Sequence, residues 1–196
     1  MPDYRSNNPM MNKPHMPAHS MDEYIHLIED IMTTLMEGSI LHEISAQHMF
    51  KYGYRGFGRL HLYNSECDFE ARLCLGKLVV DRLEHIPMVD GNAISKATTY
   101  TFGQKDLQAH LAWYYQREKE FSQLLTKAVR MAADYDMAVY EKLCKILASV
   151  QDEMFRVKQI SERLELGGWA GHDLATVSRL LHVHMSRNKD MDFELS

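Results

Sequence analysis

Residues 87–103 read PMVDGNAISKATTYTFG, and the fold turns on this stretch. Pro87 lacks a backbone donor and closes the helical pattern that precedes it. Gly91, Thr98, Thr99 and Gly103 continue neither a helical nor a strand period. A connector of about 16 residues exceeds the usual loop length in a compact domain, so it needs an architectural reason. At about 3.3 Å per residue it reaches about 50 Å. The segments on either side are periodic over about thirty residues, or about 45 Å each as helices. The connector therefore spans one helix length, which predicts a link that crosses a bundle and leaves its two flanking helices parallel.

Working outward, the preceding segment (about Gly58 to Ile86) repeats Leu62, Phe69, Leu73, Val80 and Leu83. Before it, Ser20 and Glu23 have the spacing of a capping box, which satisfies two orphan amides at a helix start. Tyr24, Leu27, Ile31, Leu35, Ile40 and Ile44 then recur at helical spacing to about Tyr52, where Gly53, Gly56 and Gly58 interrupt. After the connector, Leu107, Leu111, Tyr114, Phe121, Leu125 and Ala128 mark a helix over about 104–133. Asp134 to Asp136 make a turn. Val139, Leu143, Ile146, Val150, Val157, Ile160 and Leu164 mark another helix over about 137–166, stopped by Gly167 and Gly168. A short fifth helix is expected over about 172–187, with Leu174, Val177, Leu181 and His184 on one face. The expected organisation is a Met-, His- and Pro-containing arm (1–20), an all-α four-helix bundle with a short fifth helix (21–188) and a polar tail (189–196).

Composition narrows the function. The chain has 196 residues and a net charge of −5, so no basic excess favours nucleic acid. No run approaches the roughly 18 apolar residues of a membrane span. An apolar leader is not evident either, so the expectation is a cytoplasmic chain. Cys67, Cys74 and Cys144, an odd number without a C-x-x-C pair, read as free thiols. No phosphate loop, dinucleotide fingerprint or Ser-His-Asp arrangement occurs. Met10, Met11, His15, Met16 and His19 in the arm are donors that suit soft metals, or simply part of a solvated tail.

The distinctive residues are acids on apolar stripes. Glu153 follows Ile146 and Val150; Glu118 follows Leu111 and Tyr114. Ile40 and Ile44 bracket Glu43, while Leu62, Phe69 and Leu73 put Glu66 on their stripe with Glu70 beside it. Counted from the two turns, the four levels agree. Inward carboxylates at one depth repel and cost several kcal/mol each unless metal, protons or an internal cation neutralises them. Arg156 and Lys77 are the internal cations considered.

His42-Glu43-Ile44-Ser45-Ala46 through Phe50, together with Asp152-Glu153, resembles the ferritin-like superfamily, nearest to bacterioferritins and Dps-type miniferritins. The likeness spans about residues 22–187. It implies an iron or manganese centre with Glu43, Glu66 or Glu70, Glu118 and Glu153 as ligands, and Tyr114 beside it for electron or hydrogen donation. It also implies Fe(II) oxidation and storage in a homo-oligomer, a dimer at least and often a hollow shell of twelve or twenty-four chains; the apolar outer residues Ile86, Met88, Val89 and Leu180 point to self-assembly as well. An interfacial methionine would hold haem, but fourteen methionines leave that choice open. One departure stands out: Glu66, Glu70 and Glu153 are followed three residues on by Phe69, Leu73 and Arg156, never by histidine. The alternative is a ferritin-like structural or assembly protein whose centre has lost its metal and holds Arg156 instead.

Overall fold

The computed structural model of the protein describes residues 20–92, 95 and 107–167. They form four long helices: α1 (Met21–Lys51), α2 (Arg55–Leu83), α3 (Leu107–Ala132) and α4 (Met137–Gly167). The arm, the tail, the expected fifth helix with His184 and Leu180, and most of the 87–103 connector lie outside the described residues.

The ends follow from local chemistry. At the start of α1 the Glu23 N–H donates to Ser20 Oγ at 3.1 Å and the Ser20 N–H to Glu23 Oε2 at 3.2 Å, so the expected capping box forms. Beyond the other end, Gly53 takes φ +86°, a left-handed conformation that a side chain disfavours, and the chain turns into α2. Asp136 caps α4 by accepting the Ala138 and Val139 N–H groups at 2.9 and 3.0 Å. Its Oδ2 also takes a hydrogen bond from Arg82 Nε at 3.1 Å, tying the end of α2 to the start of α4.

Two contacts set the directions. Tyr24, in the first turn of α1, stacks on Tyr135 after α3 with ring centroids 4.8 Å apart, so α1 and α3 are antiparallel. His61 near the start of α2 meets His110 near the start of α3, so those two run parallel. The chain leaves α2 at one end of the bundle and enters α3 at the other, as the length of 87–103 predicts. The connector begins over α1: Met88 N–H donates to Glu29 Oε1 at 2.9 Å and Asp90 N–H to Thr33 Oγ1 at 3.1 Å.

The core has two apolar halves. One packs Tyr24, Ile28, Ile31, Leu35, Leu75, Val79, Leu125 and Leu143. The other packs Met49, Phe57, Leu60, Leu111, Tyr114, Val157, Ile160 and Leu164. Each fully buried Leu or Ile contributes about 1.5–3 kcal/mol of transfer free energy. Polar side chains from all four helices fill the level between the halves.

The inward faces of α3 and α4 are those expected. The phase of α2 is not. Leu62, Phe69, Leu73 and Val80, taken as its core stripe, are 40–47% exposed. The buried face carries Phe57, Leu60, His61, Asn64, Ala71, Leu75 and Val79. The physical reason is that the middle of the inward face is polar, so hydrophobicity points to the wrong side of this helix.

Candidate functional site

Three histidines form a line through the bundle. His42 on α1, His61 on α2 and His110 on α3 are all buried. His42 Nδ1 lies 3.0 Å from His61 Nδ1, and His61 Nε2 lies 2.9 Å from His110 Nε2. At the α1 end, His42 Nε2 is 3.8 Å from Asp68 Oδ2. A neutral imidazole has one N–H and one bare nitrogen, so His61 donates to one neighbour and accepts from the other. The chain is therefore directional. With His110 donating to His61 and His61 to His42, the His42 Nε2–H faces Asp68. In the opposite polarity Asp68 must be protonated to face the bare nitrogen.

Burial keeps these rings neutral. It is the largest cause of the depression of all three; mutual repulsion and Arg117 add to it for His42 and His61. His110, with His48 nearby, is pushed down to about 4.

The acids occupy the same level on the other side. Arg117 Nη1 donates to buried Glu118 Oε1, and Arg117 Nη2 donates to the Thr34 carbonyl at 3.4 Å. A Cβ at Gly38 would collide with both Asp68 Oδ2 and Arg117 Nη2. Only a glycine on α1 leaves the space in which this carboxylate and guanidinium sit together. Asn64 Nδ2 donates to Glu153 Oε1 and, at 2.6 Å, to Tyr114 Oη. The Tyr114 ring packs edge-on against His42, with centroids 5.2 Å apart.

The charges do not balance if every acid is ionised. Asp68, Glu118 and Glu153 would bring three negative charges and Arg117 one positive, beside three neutral imidazoles. Burial, then the Glu118 charge, holds the Asp68 carboxyl well above its usual range. Burial, then Asp68, does the same for Glu153. Burial also raises Glu118, but Arg117 opposes it. The consistent state is a Glu118–Arg117 ion pair with Asp68 and Glu153 as neutral acids. These last two line a cavity of about 20 Å³ with Asn64, Cys67 and Ser149, room for one water-sized occupant. The Cys67 thiol there is pushed up to about 12, chiefly by burial.

Of the five expected ligands, Glu118 and Glu153 join this layer. Glu43, Glu66 and Glu70 do not: all three are exposed on the outer faces of α1 and α2. Glu43 is one residue, about 100° of helix, from inward His42. Glu66 and Glu70 followed the exposed stripe of α2. Arg156 is also corrected: it pairs with Asp152 at 3.5 Å near the surface, and Arg117 is the internal cation. Lys77 is exposed. Tyr114 lies in the layer as expected, fully buried.

Sequence reasoning missed His42, His61, Asn64, Asp68, His110 and Arg117. A signal existed in α2, where His61, Asn64, Asp68, Ala71 and Leu75 share a face at spacings of three and four. Among the described residues, no three His, Cys, Asp or Glu side chains converge on one point. The donor set as arranged therefore does not fit a preformed metal centre: the imidazoles bond to one another and the guanidinium takes Glu118.

No family model matches the chain, and no curated protein matches it. Solved structures do. An open pore ferritin from the archaeon Archaeoglobus fulgidus superposes with a TM-score of 0.70 at 16% identity, covering 84% of this chain and 98% of that one. An engineered closed form of the same ferritin gives 0.68 at 16%, covering 83% and 96%. A humanized archaeal ferritin gives 0.68 at 16%, covering 83% and 97%. The bundle is thus ferritin-like in fold.

Proposed function

We propose that this chain is a self-assembling protein of ferritin-like fold whose bundle centre is neutralised from within instead of by metal. The observation that carries the reading is Arg117, buried beside Asp68 and bonded to Glu118 in space that Gly38 leaves open. One guanidinium and two retained protons balance the three acids, so the polar layer closes without an ion. Three supports accompany it: the outward placement of Glu43, Glu66 and Glu70, the absence of a histidine three residues after Glu66, Glu70 or Glu153, and the histidine chain's internal bonding. A buried ion pair of this kind specifies helix register more than it adds stability. The task of the chain is then to build an assembly and present its surface.

Iron oxidation and storage is the second reading, favoured by the cavity between Asp68 and Glu153. On it Fe(II) is the substrate, Asp68, Glu118 and Glu153 are its carboxylates, and Tyr114 stands one turn before Glu118. Elemental analysis of the full chain purified without chelator, beside oxygen uptake on adding Fe(II), separates the two. The first reading expects neither stoichiometric metal nor Fe(II)-dependent uptake. One or two irons or manganese ions per chain, with uptake that Glu153→Gln abolishes, would overturn it.

A further inference from the structure

Each of the three cysteines has a polar neighbour, and one of those neighbours differs in kind. The Tyr63 hydroxyl donates to Cys67 Sγ, and the Tyr140 hydroxyl donates to Cys144 Sγ. Cys74 on α2 meets an amine instead: the Lys142 ammonium on α4 donates to its sulfur. Lys142 is only 9% exposed, and Cys74 is half-buried. A lysine ordinarily carries its head group out to water. This one is held against a thiol between two helices.

Burial is the largest influence on Lys142 and pulls its ammonium below the usual range; Lys145 adds to this, while Cys74 and Glu70 oppose it. The amine therefore gives up its proton more readily than a surface lysine and then presents a lone pair to the sulfur. Neither of the other thiols can resolve an oxidised Cys74 as a disulfide. Cys67 is seven residues back along the same helix, about 10 Å away, and Cys144 lies about 200° round α4 from Lys142.

We propose that Cys74 and Lys142 form a peroxide-driven crosslink in which one oxygen atom joins Sγ to Nζ. Hydrogen peroxide first oxidises the thiol to a sulfenic acid and is itself reduced to water. Lys142 gives its ammonium proton to solvent. A second peroxide then takes one hydrogen from the sulfenic O–H and one from the amine, leaving as two waters, while the S–O bond is kept and an N–O bond forms. One thiol, one amine and two peroxides thus give the S–O–N bridge and three waters, with four electrons passed to peroxide. The contact selects this product. A direct N–S bond would draw the two atoms from hydrogen-bond to covalent distance, whereas an intervening oxygen fills the gap already present. The bridge fastens α2 to α4 across 68 residues of chain, and reduction releases it.

Peptide mapping of the full chain tests this. Chelator-treated protein is exposed to hydrogen peroxide, its remaining thiols are alkylated, and it is digested without reductant. The expected product is a linked peptide pair holding Cys74 and Lys142, about 14 Da heavier than the two peptides summed (one oxygen gained, two hydrogens lost), and absent after dithiothreitol. Sulfoxide at Met21, 43% exposed, shows that the oxidant reached the protein. The pair is expected to persist in Cys67→Ser with Cys144→Ser, and to vanish in Cys74→Ser and in Lys142→Met. If Lys142→Met fails to fold, Lys142→Arg, which keeps the charge but offers no primary amine, takes its place. Oxidised Met21 with no linked pair, a pair lighter by about 2 Da from a direct N–S bond, Cys74 carried on to sulfinic acid with Lys142 untouched, or a Cys74-linked pair that survives Lys142→Arg would each overturn the proposal. None of these masses depends on metal in the bundle centre, so the crosslink and the metal-free reading fail separately.

Discussion

Replacing Arg117 with methionine probes the centre of the bundle most directly. The side chain keeps much of its volume but loses the only full positive charge assigned to the polar layer. Glu118, 3% exposed, is left without its ion-pair partner. It cannot stay ionised there and takes up a proton. Starting from the ordinary glutamate value of 4.5, that protonation at pH 7 costs 2.5 units, or about 3.4 kcal/mol at 1.36 kcal/mol per unit. This agrees with the roughly 3–5 kcal/mol seen when one member of a buried pair is removed. For a domain of this size the melting temperature should fall by about 7–14 °C at pH 7, taking about 2–4 °C per kcal/mol. The sign of the pH dependence is diagnostic. A carboxyl whose folded-state value is raised binds its proton more readily folded than unfolded, so its penalty shrinks as pH falls towards 4.5. The gap between Arg117→Met and wild type should narrow to about 1 kcal/mol by pH 5. Paired melts at pH 7, 6 and 5 measure it, and contributions common to both proteins cancel. A loss under about 1 kcal/mol at pH 7, or a gap that does not change with pH, would refute the assignment of Arg117 as the neutralising charge.

Two further outcomes are expected. Wild-type stability should peak near about pH 6: at lower pH the three depressed histidines bind more protons in the unfolded chain, and at higher pH the two protons that Asp68 and Glu153 retain only in the folded chain outweigh them. Three histidine protons oppose two carboxyl protons, a net slope of about 1.4 kcal/mol per pH unit near pH 5 that falls to zero by about pH 6 as the unfolded imidazoles titrate, and urea titrations between pH 5 and 6 that show a flat profile or the reverse order would contradict it. Gly38→Ala should destabilise by about 1–3 kcal/mol, because its Cβ enters the space of Asp68 and Arg117. An open site would instead gain up to about 1 kcal/mol from helix propensity, so a raised melting temperature would show that the cradle is absent.

The sequence by itself determined the architecture of the described bundle. Long amphipathic periods, the Ser20–Glu23 cap, the glycine break before α2 and the length of 87–103 dictate four helices in two antiparallel hairpins, because local capping and loop reach do not depend on what the helices later touch. It also placed Glu118 and Glu153, since α3 and α4 have unambiguous apolar stripes on which an acid stands out. On α2 the same method failed for a physical reason: the residues that face the core at mid-height are His61, Asn64 and Asp68, while the residues that face outward are Leu62, Phe69 and Leu73. A helix that carries a polar centre on one side and an apolar seam on the other has no single hydrophobic direction. Only packing against α1, α3 and α4 decided which side is which. The histidine chain likewise depends on three rings contributed by residues 19 and 49 apart in sequence, and the guanidinium depends on a glycine of α1 opposite it. Such contacts are products of helix rotation and register, which each helix acquires only from its neighbours.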